Sequence, residues 1–143
     1  MNNSLTTLKG VRVGHSTHED KLTGCTVVLF DSPYPISYKS YGGAPGTFNT
    51  DGLQNGKSFF YGHGIFVAGG SYTGLMAGGE IMKTLIEKGV GYKSHKILNP
   101  NITGAVVYDL GTYIEQFNPL YGKEAVENAS SKPVQNGNVG AGT

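Results

Sequence analysis

Apolar residues in this chain fall in short runs separated by polar and glycine-rich stretches, and the runs differ in period. Val11-Arg12-Val13 alternates, while Thr26-Val27-Val28-Leu29-Phe30 is apolar almost throughout. Both predict short strands, separated by the polar, turn-forming stretch His15-Ser16-Thr17-His18-Glu19-Asp20 and closed by Asp31-Ser32-Pro33. Ile65-Phe66-Val67-Ala68 is a further apolar run, ending in Gly69 and Gly70. After it, Leu75, Gly78, Ile81, Met82, Leu85 and Ile86 recur at helical spacing and form one stripe. The reading is strand, glycine turn, buried helix, with Ser71 or Thr73 capping the helix start and Gly89 ending it in a left-handed conformation. Gly74, Gly78 and Gly79 each cost the first turns about 1 kcal/mol against alanine, so close packing must compensate.

Ala105-Val106-Val107 predicts another apolar strand, and residues 123–129 suit a short amphipathic helix. Residues 34–64 read mostly as loop, carrying the cluster Gly42-Gly43-Ala44-Pro45-Gly46, and a stretch so long is usually functional or disordered. Apolar strands interleaved with helices predict an α/β fold, with the strands central and the helix of residues 75–86 packed on one face. No repeat or shift in composition divides the chain, so residues 1–143 read as one domain or a portion of one.

Composition narrows the function. Eleven Lys and Arg residues stand against ten Asp and Glu, with no run of like charge, which argues against a nucleic-acid partner. No apolar stretch approaches the roughly 20 residues of a membrane span. The first ten residues carry no apolar signal core, so the cytoplasm is the expected compartment. The single cysteine, Cys25, precedes an apolar run and reads as a buried thiol. Glycine supplies 23 of the 143 residues, more than double the average share of about 7%. These glycines lie between aliphatic runs, which points to tight turns and close backbone approach rather than low complexity.

Three places could carry chemistry. The turn Gly69-Gly70-Ser71-Tyr72-Thr73-Gly74 follows a strand and opens a helix, so unpaired backbone N–H groups there can hold an anion or an oxyanion; the same residues also suit a plain strand-to-helix crossover. It is neither a Walker pattern nor a dinucleotide fingerprint. Tyr108 closes an apolar strand beside Asp109, and a phenol at a strand end can donate to a developing negative charge or exchange a proton with an amine. His15 and His18, with Glu19 and Asp20, have metal-ligand chemistry but no second ligand pair, so they read as a solvated loop, and His63 and His95 read as surface or loop residues. No metal or cofactor is expected.

Four segments in order resemble one family: Gly10-Val11-Arg12-Val13-Gly14-His15 with Thr23-Gly24-Cys25-Thr26-Val27-Val28; Gly42-Gly43-Ala44-Pro45-Gly46-Thr47 with Thr50-Asp51; Gly69-Gly70-Ser71-Tyr72-Thr73-Gly74-Leu75; and Ala105-Val106-Val107-Tyr108-Asp109-Leu110, closed by residues 137–143. They are similar to the L-aminopeptidase/D-Ala-esterase family, whose relatives include β-peptidyl aminopeptidases and 6-aminohexanoate-oligomer hydrolases. The resemblance implies a precursor that cleaves itself into α and β fragments, which together form an αββα sandwich of the kind shared with ornithine acetyltransferases. This chain matches the α side. The Ser or Thr nucleophile, whose own α-amino group acts as base, is then expected beyond residue 143 on the β part, together with a lysine and an oxyanion asparagine.

The same resemblance assigns Tyr108 as catalytic and Gly42, Gly43, Ala44, Gly69, Gly70 and Ser71 as candidate substrate or oxyanion loops. Tyr41 and Phe48 stand where many relatives carry arginine. The implied partners are the complementary β fragment, a small peptide, amide or ester substrate, and further copies of the protein, commonly as a tetramer. Acyl transfer of the ornithine acetyltransferase type and a non-catalytic ligand-binding relative stay open beside hydrolysis.

Overall fold

The computed structural model describes residues 4–54, 56–57, 61–110 and 116–143. Strands β1 (Val11–His18), β2 (Thr23–Pro35), β3 (Thr47–Phe48), β4 (Tyr61–Ala68) and β7 (Ile102–Val106) form one sheet in the order β1-β2-β4-β7-β3. A hairpin of β5 (Tyr92–Ser94) and β6 (Ile97–Asn99) stands apart from it. β4 and β7 are parallel and the other neighbours antiparallel. The parallel pair needs a long crossover, which α1 (Ala77–Glu87) and the hairpin supply.

α1 and α2 (Leu120–Glu127) lie on one face of the sheet. Cys25, Val27 and Leu29 of β2, Phe66 and Ala68 of β4 and Ile102 of β7 meet Ala77, Ile81 and Leu85 of α1 and Tyr121, Ala125 and Val126 of α2. The alternation in β2 and β4 is clean on this side because every second residue faces the helices. The α/β class and the face chosen by the helix of residues 75–86 are as expected, and Gly89 ends α1 with φ +75°.

Several local expectations are corrected. Residues 15–18 are not a turn: β1 runs on to His18 and pairs with β2 down to Thr23, because Gly24 lets the two backbones stay in register while Ser16 and His18 find partners on α2. Residues 34–64 hold the end of β2, all of β3, a 3₁₀ turn at Asp51–Leu53 and the start of β4; residues 55 and 58–60 of that stretch lie outside the described residues. Neither Ser71 nor Thr73 caps α1. A 3₁₀ turn, Ser71–Met76, precedes the helix with Gly70 at its cap position, and the Thr73 hydroxyl donates to Gly70 O at 2.6 Å. Of the helix glycines, Gly78 lies under the Phe48 ring, whereas Gly79 faces open space.

The opposite face of the sheet is open only at its middle, since Val13, His63 and Thr103, which share it, are buried. Ile65 and Val67 sit on the central strand β4, yet they remain 39% and 40% exposed. A turn at Gly140–Gly142 lies over the β1–β2 corner, where Gly140 N–H donates to Thr17 Oγ1 and Ala141 N–H to Thr26 Oγ1.

Candidate active site at the sheet end

β4 and β7 run parallel, so they end on the same side, and their continuations stay linked past the strands. Val107 N–H donates to Ala68 O at 2.8 Å, and Ser71 N–H donates to Val107 O at 3.0 Å. Tyr108 follows with its side chain 79% exposed, and among the described residues its hydroxyl has no hydrogen-bond partner. Asp109 turns back in: Oδ1 accepts Gly70 N–H at 2.7 Å and Oδ2 accepts the Thr23 hydroxyl at 2.8 Å. The ends of β4 and β7 and the start of β2 are thereby joined at one carboxylate.

The residue types at the turn follow from this crowding. A Cβ on Gly69 would run into Asp109 Oδ2 and Thr23 Oγ1. Gly70 has φ +76°, and a Cβ there would lie 2.7 Å from the Phe117 ring. Ser71 has φ +53°, an uncommon left-handed conformation for a non-glycine residue, and such positions cluster at functional sites.

One premise about this turn is corrected. The N–H groups of Gly69, Gly70 and Ser71 are not unpaired: they donate to Gly24 O, Asp109 Oδ1 and Val107 O. The helix-start amides that an isolated turn would offer to an anion are used here to knit three strand ends together. Tyr108 is instead the polar group that this sheet end turns outward.

The structure joins Gly70 and Ser71 to the residues on either side of Tyr108, and among the described residues no hydrogen bond does so for Gly42, Gly43 or Ala44. Those three residues are exposed on the loop before β3, with no atom within 4 Å of a Cβ built on either glycine. The loop rejoins the site only at its root, where Gly46 O accepts Val106 N–H at 2.9 Å. Beneath the loop, a cleft of about 400 Å³ opens on the middle of this sheet face, walled by Tyr38, Tyr41, Pro45, Ile65, Val67 and Ala105. Tyr41 is exposed, with Lys39 Nζ 5.4 Å from its ring centre, whereas Phe48 packs edge-on against Phe66.

The histidines are not where a solvated-loop reading puts them. His63 is buried in β4, its Nδ1 accepts Asn101 N–H at 3.0 Å, and burial lowers its pKa. His15 Nδ1 lies 3.0 Å from Thr26 Oγ1 while its Nε2 is buried without a partner among the described residues, and burial lowers its pKa too. His18 stacks on Tyr121 at 3.6 Å and reaches Glu124 Oε2 at 3.2 Å. His95 alone sits in an exposed turn. Cys25 is buried as expected, and its thiol is pushed up to about 12 by burial.

Sequence reasoning passed over Thr23 and the anchoring role of Asp109. The signal for both lay in the quoted motifs, where they sit as ordinary members of Thr23-Gly24-Cys25 and Tyr108-Asp109-Leu110.

This architecture is shared with solved proteins. It superposes on the L-aminopeptidase D-Ala-esterase/amidase of Ochrobactrum anthropi, described as a variant of the N-terminal-nucleophile hydrolase fold, with a TM-score of 0.73 and 20% identity over 98% of this chain and 43% of that one. A Burkholderia sp. β-aminopeptidase gives 0.70 and 19% over 99% and 42%. The fold is therefore that of the N-terminal-nucleophile hydrolases. Residues 3–143 match peptidase family S58, and the chain belongs to that family. Its relatives include an uncharacterised aminopeptidase of Mycobacterium bovis, 35% identical over 76% of this chain and 34% of the relative. Another is a 6-aminohexanoate-oligomer endohydrolase of Kocuria sp., 30% identical over 93% of this chain and 36% of the relative. The chain thus spans about a third of the length of these relatives.

Proposed function

We propose that this chain is the α side of a self-processing aminopeptidase or amidohydrolase that removes N-terminal residues from small peptides, amides or esters. The observation that carries the reading is Tyr108, an exposed phenol held at the end of a sheet whose open middle face shows Ile65 and Val67. A complementary fragment of the same precursor covers that face and brings a Ser or Thr as its first residue. The nucleophile's α-amino group, with a pKa of about 8, takes the hydroxyl proton at neutral pH, and the hydroxyl oxygen attacks the substrate carbonyl. Tyr108 donates its O–H to the oxyanion or to the departing amine.

The relatives named for aminopeptidase and oligomer-hydrolase activity support this chemistry. Tyr41 and Pro45 over the sheet-face cleft favour substrates with an apolar or uncharged side chain next to the scissile bond. The assembled protein is a homo-oligomer, a tetramer by analogy with its family, and the buried thiol of Cys25 suits a reducing compartment.

The deciding experiment is the intact mass and N-terminal sequence of the full-length gene product, followed by assay on L-alanyl, D-alanyl and β-alanyl p-nitroanilides and a 6-aminohexanoate oligomer. Two fragments, one beginning with Ser or Thr, and release of p-nitroaniline or monomer are the expected result. A single uncleaved chain without activity on any of them would overturn the reading.

A further inference from the structure

The sheet end is already tied by backbone bonds on both sides: Gly69 N–H to Gly24 O, Val107 N–H to Ala68 O, and Ser71 N–H to Val107 O. The Asp109 carboxylate adds two more bonds at one residue, each to a different element, Gly70 N–H and the Thr23 hydroxyl. The neighbouring turn is matched to it. Gly69 has no room for a side chain because Asp109 Oδ2 and Thr23 Oγ1 fill the space beside its Cα. Tyr108 lies between Val107, fixed through both its N–H and its C=O, and Asp109, fixed through both carboxylate oxygens. Its own side chain touches no hydrogen-bonding partner among the described residues.

We infer that Asp109, held by Thr23, is a positioning residue that fixes the Cα of Tyr108 so that the phenol meets the reacting carbonyl in one geometry. The inference rests on the reading of Tyr108 as catalytic. An exposed tyrosine has no packing to set its place, so the precision a reacting group needs must come from the backbone on either side. A free carboxylate beside the site would hydrogen-bond to water or substrate; this one spends both oxygens on the scaffold, and the residue it immobilises directly is the neighbour of the phenol. Charge-assisted bonds of this kind are the strong class, and two of them on one side chain resist the small displacements that misplace a reacting group.

The test uses the complete, processed protein and the alanyl p-nitroanilide it turns over fastest. Wild type, Y108F, D109N, T23V and the Y108F/D109N double variant are compared in kcat and KM, with thermal melting to confirm folding. Asp109→Asn keeps the shape but replaces an acceptor by an amide donor, and Thr23→Val removes one bond at nearly constant volume. D109N is expected to lower kcat by about 10- to 100-fold with KM changed less than about threefold, and T23V by a smaller factor. In the Y108F background D109N should cost less than about twofold, because the group it positions is already gone. Equal losses in both backgrounds would mean a merely structural carboxylate and overturn the inference while leaving the hydrolase reading intact. Unchanged kcat in D109N, or a Y108F as active as wild type, would overturn it as well. A wild type inert on every substrate overturns both.

Discussion

The Ser16 hydroxyl donates to Glu124 Oε2 across 2.6 Å, and this bond joins the edge strand β1 to α2. His18 Nε2 lies within 3.2 Å of both atoms, so three side chains close a small ring against the stacked Tyr121. Ser16 is buried and Glu124 half in water, so Ser16→Ala is expected to cost about 1 kcal/mol. Denaturant titration of S16A, E124A and the pair checks this: the double variant should lose less than the sum of the singles, and strict additivity would show that the bond contributes nothing.

Gly78 and Gly79 are neighbours in α1 with opposite expectations. A side chain at Gly79 meets nothing within 4 Å, so Gly79→Ala should stabilise by about 0.5–1 kcal/mol through helix propensity alone. A Cβ at Gly78 would press within 2.8 Å of the Phe48 ring, so Gly78→Ala should destabilise by about 1–3 kcal/mol. Melting temperatures moving in the same direction for both variants would refute this placement of the helix.

His63 and His15 make the protein sensitive to mild acid. Burial holds both below the ordinary histidine value of 6.5. As pH falls through about 6.5, the unfolded chain takes up protons that the folded chain does not, so stability declines; above that value both states hold neutral imidazole and the two histidines add no slope. Denaturation midpoints at pH 5 and 7.5 should therefore differ less in His63→Gln, whose side-chain carbonyl can still accept Asn101 N–H, than in wild type. An unchanged pH slope in H63Q would remove His63 from the account.

Cys25 should be inert in the folded protein. With the thiol pushed up to about 12 and no exposed surface, almost no thiolate exists at neutral pH to react. Ellman's reagent is expected to label it only at the rate of unfolding, accelerating in denaturant; rapid native labelling would contradict the packing of β2 under the helices.

What the amino-acid order settles here is local and periodic. The apolar strands β2 and β4, the stripe through Ile81 and Leu85, the turn at Gly89 and the buried Cys25 were all legible, because each depends on residues within one element. The family was legible for a related reason: glycine-rich motifs record positions where backbone must pass close to backbone, as at Gly14, Gly24 and Gly74.

Pairing between distant segments was not legible. His63 lies buried because residue 101 returns beside it, and residues 15–18 are strand because Thr23, Cys25 and α2 satisfy them. The amides of the Gly69 turn look free in sequence but are consumed by acceptors at residues 24, 107 and 109. A hydrogen bond has no signature in the residue that donates it alone. Whether a polar group is available for chemistry or spent on the scaffold therefore emerged only once the chain had folded the strand ends together around Asp109, leaving Tyr108 exposed.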